Sequence, residues 1–220
     1  MERKVVIPGE MIVEGDEYLP GESTEKRDGK IYSLRYGLAE EQNSLIKVIP
    51  LSGGYEPRRG NVVVGVVEST NTAGWMIDIG AAESTFLSMN EVPRFVNKDA
   101  MDEVLAIDDV VIAKIWSMSQ RGIDLSLKSR GLGKIEEGIV FDVNPHKVPR
   151  IIGKEGSMIK LIKEHTGCDI TVGQNGFVLI KGDSIDAELY AKRAVLFVCE
   201  NSFVSGLTDK VTKWFEENKQ

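Results

Sequence analysis

The sequence predicts a multi-domain fold, β-rich plus α+β: a small N-terminal β domain, a five-stranded barrel, a domain of order βααββα and a short C-terminal helix. Three observations carry this. Two groups of turn formers divide the chain, Pro50-Leu51-Ser52-Gly53-Gly54-Tyr55-Glu56-Pro57 and the glycines Gly131 and Gly133. Between them lie five short runs rich in branched residues, the pattern of a small closed barrel. After them, strand-like and helix-like segments follow in the order strand, helix, helix, strand, strand, helix. The boundaries read from these breaks are 1–56, 57–130, 131–205 and 206–220, and a chain of 220 residues suits several small domains better than one core.

The first part has apolar runs at 5–7, 11–13, 31–34 and 45–49, separated by Pro8-Gly9, Pro20-Gly21 and Asp28-Gly29, and reads as all-β. In the second, strands are expected at 62–67, 74–79, 84–89, 110–116 and 122–127, with a helical patch at 97–105. In the third, strands are expected at 139–143, 168–172 and 177–181 and helices at 149–152 and 157–165. Met158, Ile159 and Ile162 form the inward stripe of the second helix, and Gly167 offers it a left-handed stop. A last helix starts at Ser184, a plausible N-cap, and is expected to present Ile185, Leu189 and Leu196 to the sheet. Residues 208–218 form a terminal helix whose Val211, Trp214 and Phe215 pack on their own domain.

Hydrophobic residues make up 42% and charged residues 28%, which suits soluble globular domains rather than disorder. No apolar run approaches the roughly 20 residues of a membrane span, and residues 1–8 lack the apolar centre of a secretory leader, so a cytoplasmic protein without membrane contact is expected. Cys168 and Cys199 lie in apolar surroundings and are expected to be buried free thiols. No cofactor and no metal site is expected.

The net charge of −7 has the wrong sign for coating nucleic acid by bulk electrostatics. Acids crowd the first 56 residues, however, while two later stretches are basic: Lys114, Arg121, Lys128, Arg130 and Lys134, then Lys147, Arg150, Lys154, Lys160 and Lys163. The second stretch brackets Gly153-Lys154-Glu155-Gly156. Glycines there let backbone approach a sugar-phosphate strand, and the helix that follows directs free amides toward phosphate, with Lys154 adding charge. Ile152, Ile170 and Val172 are expected to form an apolar groove for unstacked bases, bordered by Arg150 and Lys160. The plainer reading is a tight turn between two helices.

Val148-Pro149-Arg150-Ile151-Ile152-Gly153-Lys154-Glu155-Gly156-Ser157-Met158-Ile159 resembles the KH motif, an apolar pair followed by a GXXG loop. The resemblance implies a clamp on about four single-stranded nucleotides. Residues 60–128 resemble the S1 domain, an OB-type barrel, through Gly60-Asn61-Val62-Val63-Val64-Gly65-Val66-Val67, Gly74-Trp75-Met76-Ile77-Asp78-Ile79-Gly80 and Gly122-Ile123-Asp124-Leu125-Ser126-Leu127-Lys128. Such barrels stack bases on aromatics within a basic groove, which would use Trp75 and Phe86 with Arg121, Lys128 and Arg130. The same aromatics serve equally as barrel core, and the same cations as a solvated rim. Thr72 stands where the family commonly has a second aromatic, and Leu87 or Ser88 where it has a histidine.

In this order the three domains resemble the RNA-binding cap subunits of the archaeal exosome, counterparts of the eukaryotic ribosomal RNA processing protein four. The resemblance implies a non-catalytic subunit, three copies per complex, seated by its N-terminal domain on a hexameric ring of phosphorolytic RNase subunits. There it would guide the 3′ end of single-stranded RNA into the pore. An enzyme is disfavoured: the sequence has no phosphate-binding GxxxxGK loop, no HExxH, no paired CxxC, and only His146 and His165 for acid-base work near neutrality. A scaffold that binds only protein is the alternative, and the acidic charge keeps it open. The zinc-ribbon cap protein is excluded, since it needs paired cysteines.

Overall fold

The computed structural model describes residues 4–94, 101–202, 204 and 206–218, which divide into two compact units, Met1–Gly53 and Gly54–Gln220. In the first unit, β1 (Lys4–Val6), β2 (Met11–Glu14), β3 (Leu19–Pro20), β4 (Thr24–Arg27), β5 (Lys30–Ser33), β6 (Gly37–Gln42) and β7 (Leu45–Pro50) form two sheets, ordered β1-β6-β7-β3 and β2-β5-β4. Asp28-Gly29 joins β4 to β5 and Asn43-Ser44 joins β6 to β7, all four with positive φ, as two-residue hairpins whose turn matches strand twist require. Charged sequences hide β4 and β6 from sequence reasoning. Val6, Ala39 and Val48 are buried together, while Val5, Leu38 and Ile49 are direct cross-strand neighbours on the outward face.

The second unit begins with the barrel: β8 (Val62–Asn71), β9 (Gly74–Asp78), β10 (Thr85–Ser88), β11 (Val110–Ser119) and β12 (Gly122–Ser126). The order β12-β10-β9-β8-β11 closes through β11–β12, with β10–β12 the parallel pair, so all five expected strands join one OB-like barrel. Its core centres on Trp75, Ile77, Leu87, Ile115 and Leu125, which alternate with outward residues along each strand. Of the expected helical patch, 97–100 lies outside the described residues, and Met101–Leu105 is turn, with the Leu105 amide donating to the Met101 carbonyl. A short strand, β13 (Gly133–Ile135), then pairs with β11.

The last domain has a sheet ordered β14-β16-β15, built from β14 (Ile139–Asp142), β15 (Asp169–Val172) and β16 (Phe177–Lys181), with α1 (Val148–Ile152), α2 (Ser157–Thr166) and α3 (Ile185–Glu200) against it. Ser184 caps α3 by accepting from the Ala187 amide, and Gly167 ends α2 at φ 67°. The inward face of α3 differs from expectation. Ile185, Leu189 and Leu196 are exposed, and Tyr190, Ala191, Ala194, Val195 and Val198 face the sheet, because the two alanines let the helix approach closely. Helix α4 (Leu207–Glu217) packs back through Val211 and Phe215, with Trp214 stacked on Tyr190 and Phe197. Cys168 and Cys199 are buried free thiols, and burial pushes the Cys199 thiol up to about 11.

Six carboxyls are held below their usual range, Glu10, Glu25 and Glu137 at the open surface and three that are partly buried. Asp169 accepts from Lys163 at 2.5 Å, Glu91 is held by Ser126 and by Lys128 at 3.0 Å, and at Asp109 the pull of burial is outweighed by Lys134 at 2.6 Å and the Ala106 amide. A lowered folded-state value means stability present above the ordinary carboxylate range, about 4, and lost as pH falls through the lowered values. The melting temperature should therefore hold from pH 7 to about 5 and fall below about 4.

Candidate nucleic-acid interface

The α1 to α2 junction is shaped by its glycines. Gly153 ends α1 at φ 75°, its amide donating to the Pro149 carbonyl; Gly156 sits at φ 78° and Glu155 at φ 53°. A Cβ at Gly153 would lie 2.7 Å from the Met158 backbone nitrogen, so only glycine fits, whereas Gly156 has open space to 3.8 Å. No side chain caps the first turn of α2, and the positive end of its dipole favours an anion there, although the Gly156 and Ser157 amides already donate to the Gly153 and Lys154 carbonyls. Lys154 and Glu155 are exposed at the loop tip, and Arg150 and Lys160 are exposed on the flanking helices. None of the three cations makes an ion pair among the described residues.

The expected apolar groove is not formed by the residues proposed for it. Ile170 and Val172 are 2% and 8% exposed and belong to the domain core, because the face of β15 carrying them packs on the helices; Ile152 alone of the three is half-buried. Met158 and Ile162 are buried and Ile159 half-buried, as the helical stripe predicts.

On the barrel, Trp75 is fully buried and its Nε1 donates to the Leu105 carbonyl at 2.8 Å, so it is core and offers no stacking face. Strand alternation decides this: Trp75 shares the inward face with Ile77 and Ile79, and the outward residue is its neighbour Met76. Phe86 is half-buried and lies directly between Met76 and Asp124 on the outer surface. Sequence reasoning missed both Met76 and Trp116, which is 47% exposed at the β11 bulge; the alternation around the buried Ile115 was the available signal. Arg121 and Arg130 are exposed and without ion pairs among the described residues, but Lys128 is paired with Glu91. Lys134 and Lys163 are likewise paired, with Asp109 and Asp169. Of the ten cations in the two basic stretches, Lys114, Arg121, Arg130, Lys147, Arg150, Lys154 and Lys160 therefore make no ion pair among the described residues.

Residues 3–52 match the family model described as the exosome RNA-binding protein RRP4 N-terminal domain, and 138–196 match the KH domain model. An exosome complex component Rrp4 from Methanothermobacter thermautotrophicus is 42% identical over 211 residues, covering 96% of this chain and 67% of the relative. The same component from Nitrosopumilus maritimus is 36% identical over 219 residues, covering 98% and 96%. The chain belongs to the Rrp4 family. A crystal structure described as an exosome complex RNA-binding protein superposes with a TM-score of 0.68 at 33% identity, covering 75% of this chain and 97% of that one. Membership in the Rrp4 family agrees with the N-terminal β unit, closed barrel, KH domain and C-terminal helix seen in the fold.

Proposed function

We propose that this Rrp4-family chain is a non-catalytic, RNA-binding cap subunit of an archaeal exosome, acting in the cytoplasm. It recruits single-stranded RNA and guides the 3′ end to a hexameric ring of phosphorolytic RNase subunits, with three copies per complex. The observation that carries the RNA role is the α1 to α2 loop: positive-φ glycines, an uncapped helix start, and three unpaired cations around it among the described residues. Arg150, Ile152, Gly153, Lys154, Gly156 and Lys160 are the proposed contacts there, with Glu155 weakening phosphate binding at the tip. On the barrel, Phe86, Arg121 and Arg130 remain proposed contacts, with Met76 and Trp116 added. The N-terminal domain is the proposed docking element, through the outward row Val5, Leu38 and Ile49, flanked by exposed Ile7 and Tyr36.

A protein-only scaffold is favoured by one observation, the ion-paired state of Lys128, Lys134 and Lys163 in a chain of charge −7. A decay assay separates the readings. With phosphate and single-stranded RNA, the chain alone should release no nucleoside diphosphates, and adding it to a purified archaeal ring should speed decay of long RNA. Phosphorolysis by the chain alone would overturn the non-catalytic assignment, and a ring indifferent to the chain would favour the scaffold.

A further inference from the structure

The two ends of α2 carry opposite charge. Its start adjoins the Gly153 to Gly156 loop with exposed Lys154. Near its end, about 12 Å along the helix, His165 borders a cleft of about 300 Å³ between α2, α3 and α4. The lining unites His165, Ser184, Asp186, Tyr190 and Phe215. Phe215 stacks on the His165 ring at 4.4 Å, and Tyr190 meets Phe215 edge-on at 5.8 Å, so three rings wall the cleft. His165 Nδ1 lies 2.9 Å from the Leu161 carbonyl and carries the proton there, because a carbonyl only accepts; in the neutral ring Nε2 is then an acceptor. Asp186 is exposed and makes no ion pair among the described residues, and the same holds for Glu164 and Asp183, the chain neighbours of His165 and Ser184. Ile185 and Leu189 of α3, 70% and 45% exposed, lie beside Asp186 on the helix and take no part in the domain core. A carboxylate in the first turn of a helix is by itself ordinary, since the dipole favours it. The cleft, its rings and the bare apolar pair set Asp186 apart.

We propose that this cleft docks a protein partner through an arginine side chain, its guanidinium forked on Asp186 among the rings of His165, Tyr190 and Phe215. Apolar neighbours of that arginine rest on Ile185 and Leu189, so the occupant is a basic, partly apolar peptide segment. Negative charge and acceptors between aromatic walls suit a flat cation with several N–H donors, and the same charge repels phosphate. Arginine fits better than lysine, because its planar fork both stacks on a ring and binds a carboxylate through two bonds. Tyr190 already holds one guanidinium over its ring at 5.6 Å, that of Arg193, which does not line the cleft. Because the cleft lies at the far end of α2 from the KH loop, partner and RNA are held at the same time.

The test titrates the whole chain with a short peptide of alternating leucine and arginine, followed by amide NMR shifts, beside the same peptide with uncharged citrulline in place of arginine. The arginine peptide should shift the amides of His165 and of Ser184 to Tyr190, and the citrulline peptide should bind at least about tenfold more weakly, as expected for loss of a charge-assisted fork. D186N, which keeps the shape of the exposed carboxylate, should weaken the arginine peptide about tenfold. E68Q, which removes the same charge from an exposed position on the barrel, should change it less than about twofold. Equal binding of the two peptides, equal losses in D186N and E68Q, or shifts confined to other parts of the chain would overturn the proposal. So would single-stranded RNA shifting the cleft amides where the peptide does not, an outcome that makes the cleft a nucleotide site.

Discussion

Replacing Trp75 with alanine should destabilise the barrel by about 3–5 kcal/mol, the cost of emptying a large core site, with a further contribution from the Leu105 carbonyl left without its donor. Denaturant unfolding measures it. A surface stacking residue would give a change near zero in stability and a direct loss of RNA affinity, so the two roles part on both readouts. F86A, at a half-buried outer position, should show the opposite balance. The expected loss is about 1–3 kcal/mol of RNA affinity if a base stacks there.

Reversing the three cations at the KH loop, R150E with K154E and K160E, should lower single-stranded RNA affinity at least about 100-fold at low salt, because a phosphate that is no longer neutralised by the protein keeps its condensed counterions. All three side chains are exposed and outside the core, so the melting temperature should change little. Aspartate at Gly153 is a poorer probe, since its Cβ would strike the Met158 backbone and the residue must keep φ 75°. A loop that is only a structural turn would leave RNA affinity untouched by the triple reversal.

The fold is legible in the sequence where local signals agree. Asp28-Gly29 announces a hairpin, Ser184 a helix start and Gly167 a helix stop, and each does so through its own backbone or hydroxyl chemistry. The KH loop is legible for the same reason: its glycines carry the positive φ that the tight junction needs. Faces are harder. Trp75 reads as a candidate surface aromatic, although Ile77 and Ile79, two and four residues on, fix its side of the strand. On α3, apolar residues lie on both faces, and the buried one is set by Ala191 and Ala194 and by Glu188, whose carboxylate accepts from the Gly182 amide. Lys128 reads as a free cation because Glu91 lies 37 residues from it in sequence, yet the two are 3.0 Å apart in space. The hydrogen bonds from the Val62 and Val64 amides to the Gln174 and Asn175 side chains, in the turn between β15 and β16, span more than 100 residues, and two amides in a turn carry no local sign of them.

The most direct measurement of the RNA role is single-stranded RNA binding by the purified chain across a salt series, alone and seated on a phosphorolytic archaeal ring. Affinity that falls with rising salt and strengthens on the ring, where several cap subunits act together, is the predicted result. No binding in either state would contradict it and leave a protein-only scaffold in its place.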